Sequence, residues 1–517
     1  MQARRKFLKK TLAASLAVML RPFRSLANNV KQAVKNNPYT IVLGRPTASS
    51  ILMNFFAKQQ MEVYIEYGKD KEQKMLSTPK VQLSKGDIHE FILPNLLPNQ
   101  PYFYRIAYNN LNSENFLQGP MNTFHTQRKK GSDFIFTISA DSHLGTPNHC
   151  NPELYQLTLD NIVRSNSDLH FSMGDDFRAS KVNNPNYEKV AELYLNQREH
   201  LTTLCNSVPF FFVLGNHEME AKAYADGTDN CLASWSVAAR KKFVPNPVPD
   251  NFYTGSNNAT DGMRQNYFAF EWGDVLFVTM DVFWYSNISA EDEEQREKQK
   301  EQKQGKQGGA KEHPANKNNK GNQKEPGNNK EPGKNKGKDQ WAFTIGDDQY
   351  HWLKDSLQKS KAKYKIVFGH HVLGSCRGAI EWADKFEWGG NNRKGINEFA
   401  KHRPNWEMPI HDLFVKYKVN AFIQGHDHLF ARQELNGVAY ITCPMSGDPG
   451  YNTYNENAYL SGDKLSNTGH LKMVVSKSDF QMLYIKSVLQ KDIATQGENG
   501  RIAYAWSFVN NKQVPII

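Results

Sequence analysis

Phe210-Phe211-Phe212-Val213-Leu214-Gly215-Asn216-His217-Glu218 runs five apolar residues straight into a glycine, an amide, an imidazole and a carboxylate. A short apolar run closed by glycine has the length of a buried β-strand, so the polar residues fall on the loop leaving its carboxyl end. The pattern recurs four times. Residues 134–138 precede Asp141-Ser142-His143, and 169–173 precede Gly174-Asp175. Residues 365–368 precede Gly369-His370, and 419–423 precede Gly425-His426-Asp427-His428. Between these runs, Tyr155, Leu159, Ile162 and Val163 recur at helical spacing, residues 192–204 read as a helix, and so does the stretch carrying Tyr350, Leu353 and Leu357. Strands alternating with helices predict an α/β core, in which ligands bind beyond the carboxyl ends of the strands.

Each segment alone says little, because Gly-Asp turns and Gly-His pairs are common. Asp175 alone is as well read as a turn residue, and His143 or His370 alone as a packed histidine. Five such loops in one chain, each after an apolar strand, describe a metal site. Hydrolysis of a phosphate ester near neutral pH needs a strong nucleophile and neutralisation of the phosphoryl oxygens, and two metal ions supply both. Mixed imidazole and carboxylate donors suit zinc, iron or manganese. The glycines before the donors permit tight turns.

Asp-x-His, Gly-Asp, Gly-Asn-His-Glu, Gly-His and Gly-His-x-His in this order resemble the calcineurin-like metallophosphoesterase pattern, over residues 133–490. The resemblance implies a four-layer αββα sandwich of two mixed sheets with helices outside. It implies that Asp141, His143 and His428 hold one metal, that Asn216, His370 and His426 hold the second, and that Asp175 bridges them. His217 would stand at the leaving-group oxygen, with Glu218 orienting its imidazole. The implied reaction is attack of a metal-bridging hydroxide on a phosphate ester. Within the superfamily the Gly-Asn-His-Glu form is similar to that of purple acid phosphatases, which implies monoesters as substrates; a phosphodiesterase on the same scaffold is the alternative, and a non-catalytic surface-binding protein a third reading. Two departures stand out. His143 lies where the purple enzymes have glycine, and Arg178 where they have an iron-binding tyrosine. Zinc, manganese and iron(II) therefore all remain open as the metal. Arg178 and Arg377, just past ligand loops, are candidates to fork onto phosphate oxygens, with structural salt bridges as the alternative. His149, Asn391 and Asn392 are candidates for the rim of the site, and Trp382, Phe386 and Trp388 for an apolar wall or plain core.

The rest of the chain frames this core. Residues 38–127 carry strand-forming runs at 61–67 and 102–108 separated by turns such as Leu97-Pro98-Asn99-Gln100-Pro101, which predicts a small β-sandwich. Its segment from Leu96 to Tyr108 resembles fibronectin type III domains, and purple acid phosphatases carry such a domain in front of the catalytic one. Residues 1–27 combine Arg4-Arg5-Lys6-Phe7-Leu8-Lys9 with a short apolar run and Ser25-Leu26-Ala27, the pattern of a cleaved twin-arginine export signal. This predicts handling by the twin-arginine translocation machinery and a periplasmic or secreted product. No later run is long and apolar enough for a transmembrane helix. Residues 291–338 hold no Val, Ile, Leu, Met, Phe, Tyr, Trp or Cys and read as a disordered insertion, while 491–517 read as a C-terminal extension.

The net charge of +11 is not a nucleic-acid footprint. Residues 1–27 hold seven Lys/Arg and no acids, and residues 291–338 hold thirteen Lys/Arg against nine Asp/Glu. The body that remains is near neutral, so no nucleic-acid partner is expected. The five cysteines lack CxxC spacing and describe neither a disulfide framework nor a thiolate zinc site.

Overall fold

The computed structural model describes residues 37–516, apart from 112, 114, 258–261, 289–339 and 375. The proposed export signal and the insertion at 291–338 lie outside the described residues.

The amino-terminal unit is built of antiparallel sheets. Tyr39–Gly44, Ile51–Ala57 and Ile88–Leu93 form one. The other is centred on Met61–Gly68 paired with Pro101–Asn109, flanked by four shorter strands. Met61–Gly68 alternates buried and half-buried residues along its length, the period-two signal of a strand with one face in a core. Tyr39, Ile41, Phe55, Val63, Ile65, Tyr104 and Ile106 fill the space between the sheets. The Tyr102 hydroxyl accepts the Leu97 N–H at 2.8 Å, tying the turn to the strand that follows it.

Two mixed sheets make the second unit. In the first, Phe134–Ser139, Leu169–Ser172 and Phe210–Phe212 run parallel, and Gly469–Val475 and Phe480–Lys486 continue antiparallel from Phe134–Ser139. In the second, Val275–Thr279, Tyr364–Phe368, Ala421–Gln424 and Val438–Thr442 run parallel, with antiparallel strands at both edges. Phenylalanines dominate the space between the sheets. Phe171 stacks on Phe368 at 4.4 Å between centroids, and Phe136 meets Phe277 edge-on at 4.9 Å, the two arrangements aromatic quadrupoles prefer. Helices Pro152–Val163 and Tyr187–Cys205 cover the outer face of the first sheet through Leu159, Ile162, Leu201 and Leu204. Asp347–Lys359 and Ile410–Lys416 cover the second through Leu353, Leu357 and Phe414. Asn151 and Asn186 start the first two helices by accepting the Leu154 and Lys189 N–H groups, the usual N-cap device.

The extension expected at 491–517 is not separate from this core. Ile502–Ser507 pairs antiparallel with Phe480–Lys486, and Lys512–Gln513 closes the edge of the first sheet. Tyr504 and Ala505 are buried there. A six-residue strand next to the sheet edge, half of it only partly buried, leaves too short an apolar pattern to read unaided.

Candidate metal centre

All five polar loops leave the carboxyl ends of parallel strands, three from the first sheet and two from the second. Because the sheets pack face to face, the loops meet at one edge of the sandwich. Their backbones are stitched together: the Asp141 N–H donates to the Gly174 carbonyl (3.0 Å), the His143 N–H to that of Asp175 (3.0 Å), and the Gly425 N–H to that of His370 (2.9 Å). Asp141, His143, Asp175, His426 and His428 all take positive φ, between 45° and 69°. Asp and His visit this region more readily than most residues, at a cost of roughly 1 kcal/mol or more each. Gly174 and Gly215 make the close approach possible. A Cβ on Gly174 would lie 2.3 Å from the Gly215 nitrogen, and one on Gly215 would lie 2.3 Å from the Asp175 carboxylate. These glycines make room for the neighbouring loop.

The side chains converge in three overlapping groups, all buried: Asp141, His143 and His428; His143, Asp175 and His217; Asp175, His370 and His426. His143 Nε2 and His428 Nε2 are 2.9 Å apart, and each is within 3.9 Å of Asp141 Oδ1. His370 Nε2 is 3.1 Å from Asp175 Oδ2, and His426 Nδ1 is 3.1 Å from Asn216 Oδ1. Donors sharing an ion at bonds of about 2.1 Å stand roughly 3–3.4 Å from one another, so these separations fit two adjoining coordination shells. His370 Nδ1 lies 2.6 Å from the Met173 carbonyl. That bond places the ring proton on Nδ1 and leaves Nε2 as the donor facing Asp175. The residues present therefore fit a pair of nitrogen- and oxygen-bound metals.

The electrostatics carry the same demand. Burial penalises charge throughout the site and holds the His143, His371 and His426 imidazoles well below their usual range. His370 is the exception. Burial works against its charge, but the carboxylates of Asp175 and Asp141 prevail and raise it to about 10. Asp175 also resists the burial that would raise it, because His370, His217 and His143 hold it well below the carboxylate range. Asp175 thus sits where positive charge is required.

A pocket of about 250 Å³ opens over these groups, lined by His149, Asp175, Arg178, His217, Arg377, His426, His428, Tyr454 and Asn455. The predicted Arg178, Arg377 and His149 are here. Asn391, Asn392, Trp382, Phe386 and Trp388 are not in its lining. Trp388 is core, packed on Phe422 with its indole N–H on the Tyr440 hydroxyl, and the Trp382 indole N–H donates to the Arg377 carbonyl.

Glu218 does not have the role expected of it. Its carboxylate accepts the N–H groups of Gly215 (2.8 Å), Asp176 (2.9 Å) and Asp175 (3.1 Å), so it braces the ligand backbones. His217 is set instead through its own N–H, which donates to Asp175 Oδ1 at 2.8 Å.

Three contributors had no signal in the sequence. Asn455 donates to the Asp427 carbonyl at 3.0 Å, and the Tyr454 ring stands 5.9 Å from that of His428. The Tyr459 hydroxyl bonds Asp427 Oδ2 at 2.6 Å. All three come from the long loop after Val438–Thr442, more than ten residues beyond the end of that strand.

A family profile for calcineurin-like phosphoesterases matches residues 134–430, more than half of the chain. Among solved structures, the chain is similar to GAP50, described as the anchor in the inner membrane complex of Plasmodium. The identity is 13% and the TM-score 0.34, covering 72% of this chain and 88% of that one. It is also similar to the sensor domain of the anti-sigma factor RsgI4 of Pseudobacteroides cellulosolvens, at 13% identity and a TM-score of 0.15, covering 18% of this chain and 80% of that one. A search of curated proteins found no match. With its five polar loops on the two mixed sheets and this match over residues 134–430, the chain belongs to the calcineurin-like phosphoesterase family.

Proposed function

We propose that this protein hydrolyses phosphate monoesters at a two-metal centre. The observation that carries the reading is the convergence of buried Asp and His donors from five loops beneath a pocket lined by His217 and two arginines. Asp141, His143 and His428 would hold one ion, and Asn216, His370 and His426 the other, with Asp175 shared. When bound, the ions supply the nucleophile and much of the charge that neutralises the phosphoryl oxygens; zinc, manganese and iron all suit these donors.

The chain's own groups do the rest. Asp175 anchors the His217 backbone and keeps its ring 3.8 Å from the shared carboxylate, at the edge of the pocket. From there the imidazole delivers a proton to the departing alcohol oxygen. The Met173 carbonyl and Glu218 fix the donor loops, which limits reorganisation during the reaction. Preference for monoesters is supported by the likeness of Gly-Asn-His-Glu, preceded by a β-sandwich, to purple acid phosphatases. Arg178 in place of their tyrosine removes the phenolate ligand, so the loaded protein is expected to lack a purple absorption band. The twin-arginine pattern supports a periplasmic or secreted location.

The test compares hydrolysis of 4-nitrophenyl phosphate and bis(4-nitrophenyl) phosphate by the protein loaded with zinc, manganese or iron. Faster metal-dependent release from the monoester is expected, and faster release from the diester would replace the monoesterase reading. His217→Ala should keep its metals and lose about 100-fold in rate or more. Full activity in that variant would remove the proton-donor role.

A further inference from the structure

The two arginines in the pocket wall are not equivalent. Arg377 is already engaged. Its Nη1 donates to the His426 carbonyl at 2.6 Å and stands 3.4 Å from Asp427 Oδ1. Asp427 is buried and also accepts the Gly378 N–H (2.9 Å) and the Tyr459 hydroxyl. The Arg377 charge is thus answered within the protein, and its guanidinium holds the Gly-His-Asp-His loop in place. Arg178 differs. It is half-buried and lines the same pocket. Among the described residues no carboxylate lies within ion-pair distance of it, and its Nε is buried without a hydrogen-bond partner. The position is fixed nonetheless: the N–H of the next residue, Ala179, donates to the His217 carbonyl at 3.0 Å. The arginine backbone is therefore tied to the loop of the proposed proton donor.

We propose that Arg178 selects phosphate monoesters over diesters by engaging the one phosphoryl oxygen that a diester lacks; the proposal rests on the phosphoesterase reading of the site. A half-buried guanidinium with an unmet donor is unfavourable until an anion arrives. A monoester presents three non-bridging oxygens and, with a second pKa near 6, carries close to two negative charges at neutral pH. A diester presents two such oxygens and one charge. If bound metals engaged two of these oxygens, the third would be left for the pocket wall, where the Arg178 guanidinium could pair with it. In a diester that position carries an ester oxygen bonded to carbon, an uncharged and weak acceptor that cannot answer the guanidinium charge. The same residue thus attracts one class and penalises the other.

The experiment uses full-length metal-loaded protein, with Arg178→Gln and Arg178→Lys beside the wild type. Metal content and circular dichroism establish that each variant is folded and loaded. Two readouts are taken: kcat/KM for 4-nitrophenyl phosphate and its bis ester, and calorimetric Kd for inorganic phosphate and for dimethyl phosphate. In Arg178→Gln the monoester rate should fall ~10–100-fold further than the diester rate, and phosphate binding should weaken by a similar factor relative to dimethyl phosphate. Arg178→Lys, which keeps charge without the fork, should fall between. Equal losses for both ester classes, or no loss, would overturn the proposal while leaving the phosphoesterase reading intact. If the loaded wild type turned over neither ester, that reading would fail. The binding arm would then decide alone: a phosphate preference abolished by Arg178→Gln supports the proposal, and an unchanged preference overturns it.

Discussion

Glu218 shows how much of the centre is held by bonds from side chain to backbone. One buried carboxylate takes three N–H groups from two ligand loops, and burial beside Asp175 and Asp176 pushes its pKa well up. Removing it leaves three buried donors unmet. Glu218→Ala should therefore cost about 2–4 kcal/mol, read by urea unfolding of the metal-free protein, and should weaken metal binding. A loss under about 0.5 kcal/mol would mean that the loops hold their positive-φ turns without it. The residues that announced themselves in the sequence were those contiguous with an apolar strand: Asp141, Asp175, His217, His370 and His428 each follow one within a few positions. What Glu218 does, and that Tyr454, Asn455 and Tyr459 belong to the site, was not legible. Their contacts are to backbone atoms, a ring and a carboxylate, most of them about 30–40 residues away, which leave no periodic trace. The mistaken link from Glu218 to the His217 ring came from adjacency in sequence, and the positive φ of Met219 and Asp175 shows how sharply the chain turns there.

At the scale of elements, helix Tyr187–Cys205 joins the two units. Arg198, buried on that helix, makes five hydrogen bonds: to the hydroxyl and carbonyl of Thr40, the side-chain and backbone oxygens of Asn54, and the Phe243 carbonyl. Thr40 and Asn54 belong to adjacent strands of the amino-terminal unit. All five acceptors are neutral, so the hydrogen bonds spread the guanidinium charge over dipoles. Arg198→Met should cost about 3–5 kcal/mol, because five acceptors lose their donor among buried residues. It should also make the junction between the units the first site of limited proteolysis. A variant as stable and as resistant as the wild type would show that the interface rests on apolar packing alone. The strands carrying Thr40 and Asn54 are buried on both faces for nearly their whole length and so lack the alternation that marked residues 61–67 and 102–108. Arg198 was not legible either, since an arginine on a helix usually faces solvent.

The whole molecule carries buried histidines outside the metal site, and these set its response to acid. His170 and His470 are both fully buried on the first sheet and both pushed down to about 3. Burial is the main cause, with His170 and Lys472 adding to it at His470. The unfolded chain binds protons at these rings near pH 6.5, and the folded chain only near 3. Their contribution to stability is therefore complete above about pH 6.5 and is lost as pH falls from there towards 3, at up to about 1.4 kcal/mol per pH unit for each ring. Urea midpoints of the wild type should drop between pH 7.5 and pH 5, and His470→Leu should flatten that drop under identical metal conditions. An unchanged pH dependence in the variant would assign acid sensitivity elsewhere.

On the proposed function, the five loops hold two metal ions for phosphoester hydrolysis, with Asp175 between them. The most direct test counts metal ions per chain and measures phosphate release from 4-nitrophenyl phosphate for wild type and Asp175→Asn, before and after removal and return of metal. Two ions per wild-type chain are expected, with activity lost with the metal and restored with it, and a variant that binds fewer ions and is slower by at least about 100-fold. Undiminished hydrolysis by the metal-stripped protein, or full metal content and activity in Asp175→Asn, would contradict the proposed function.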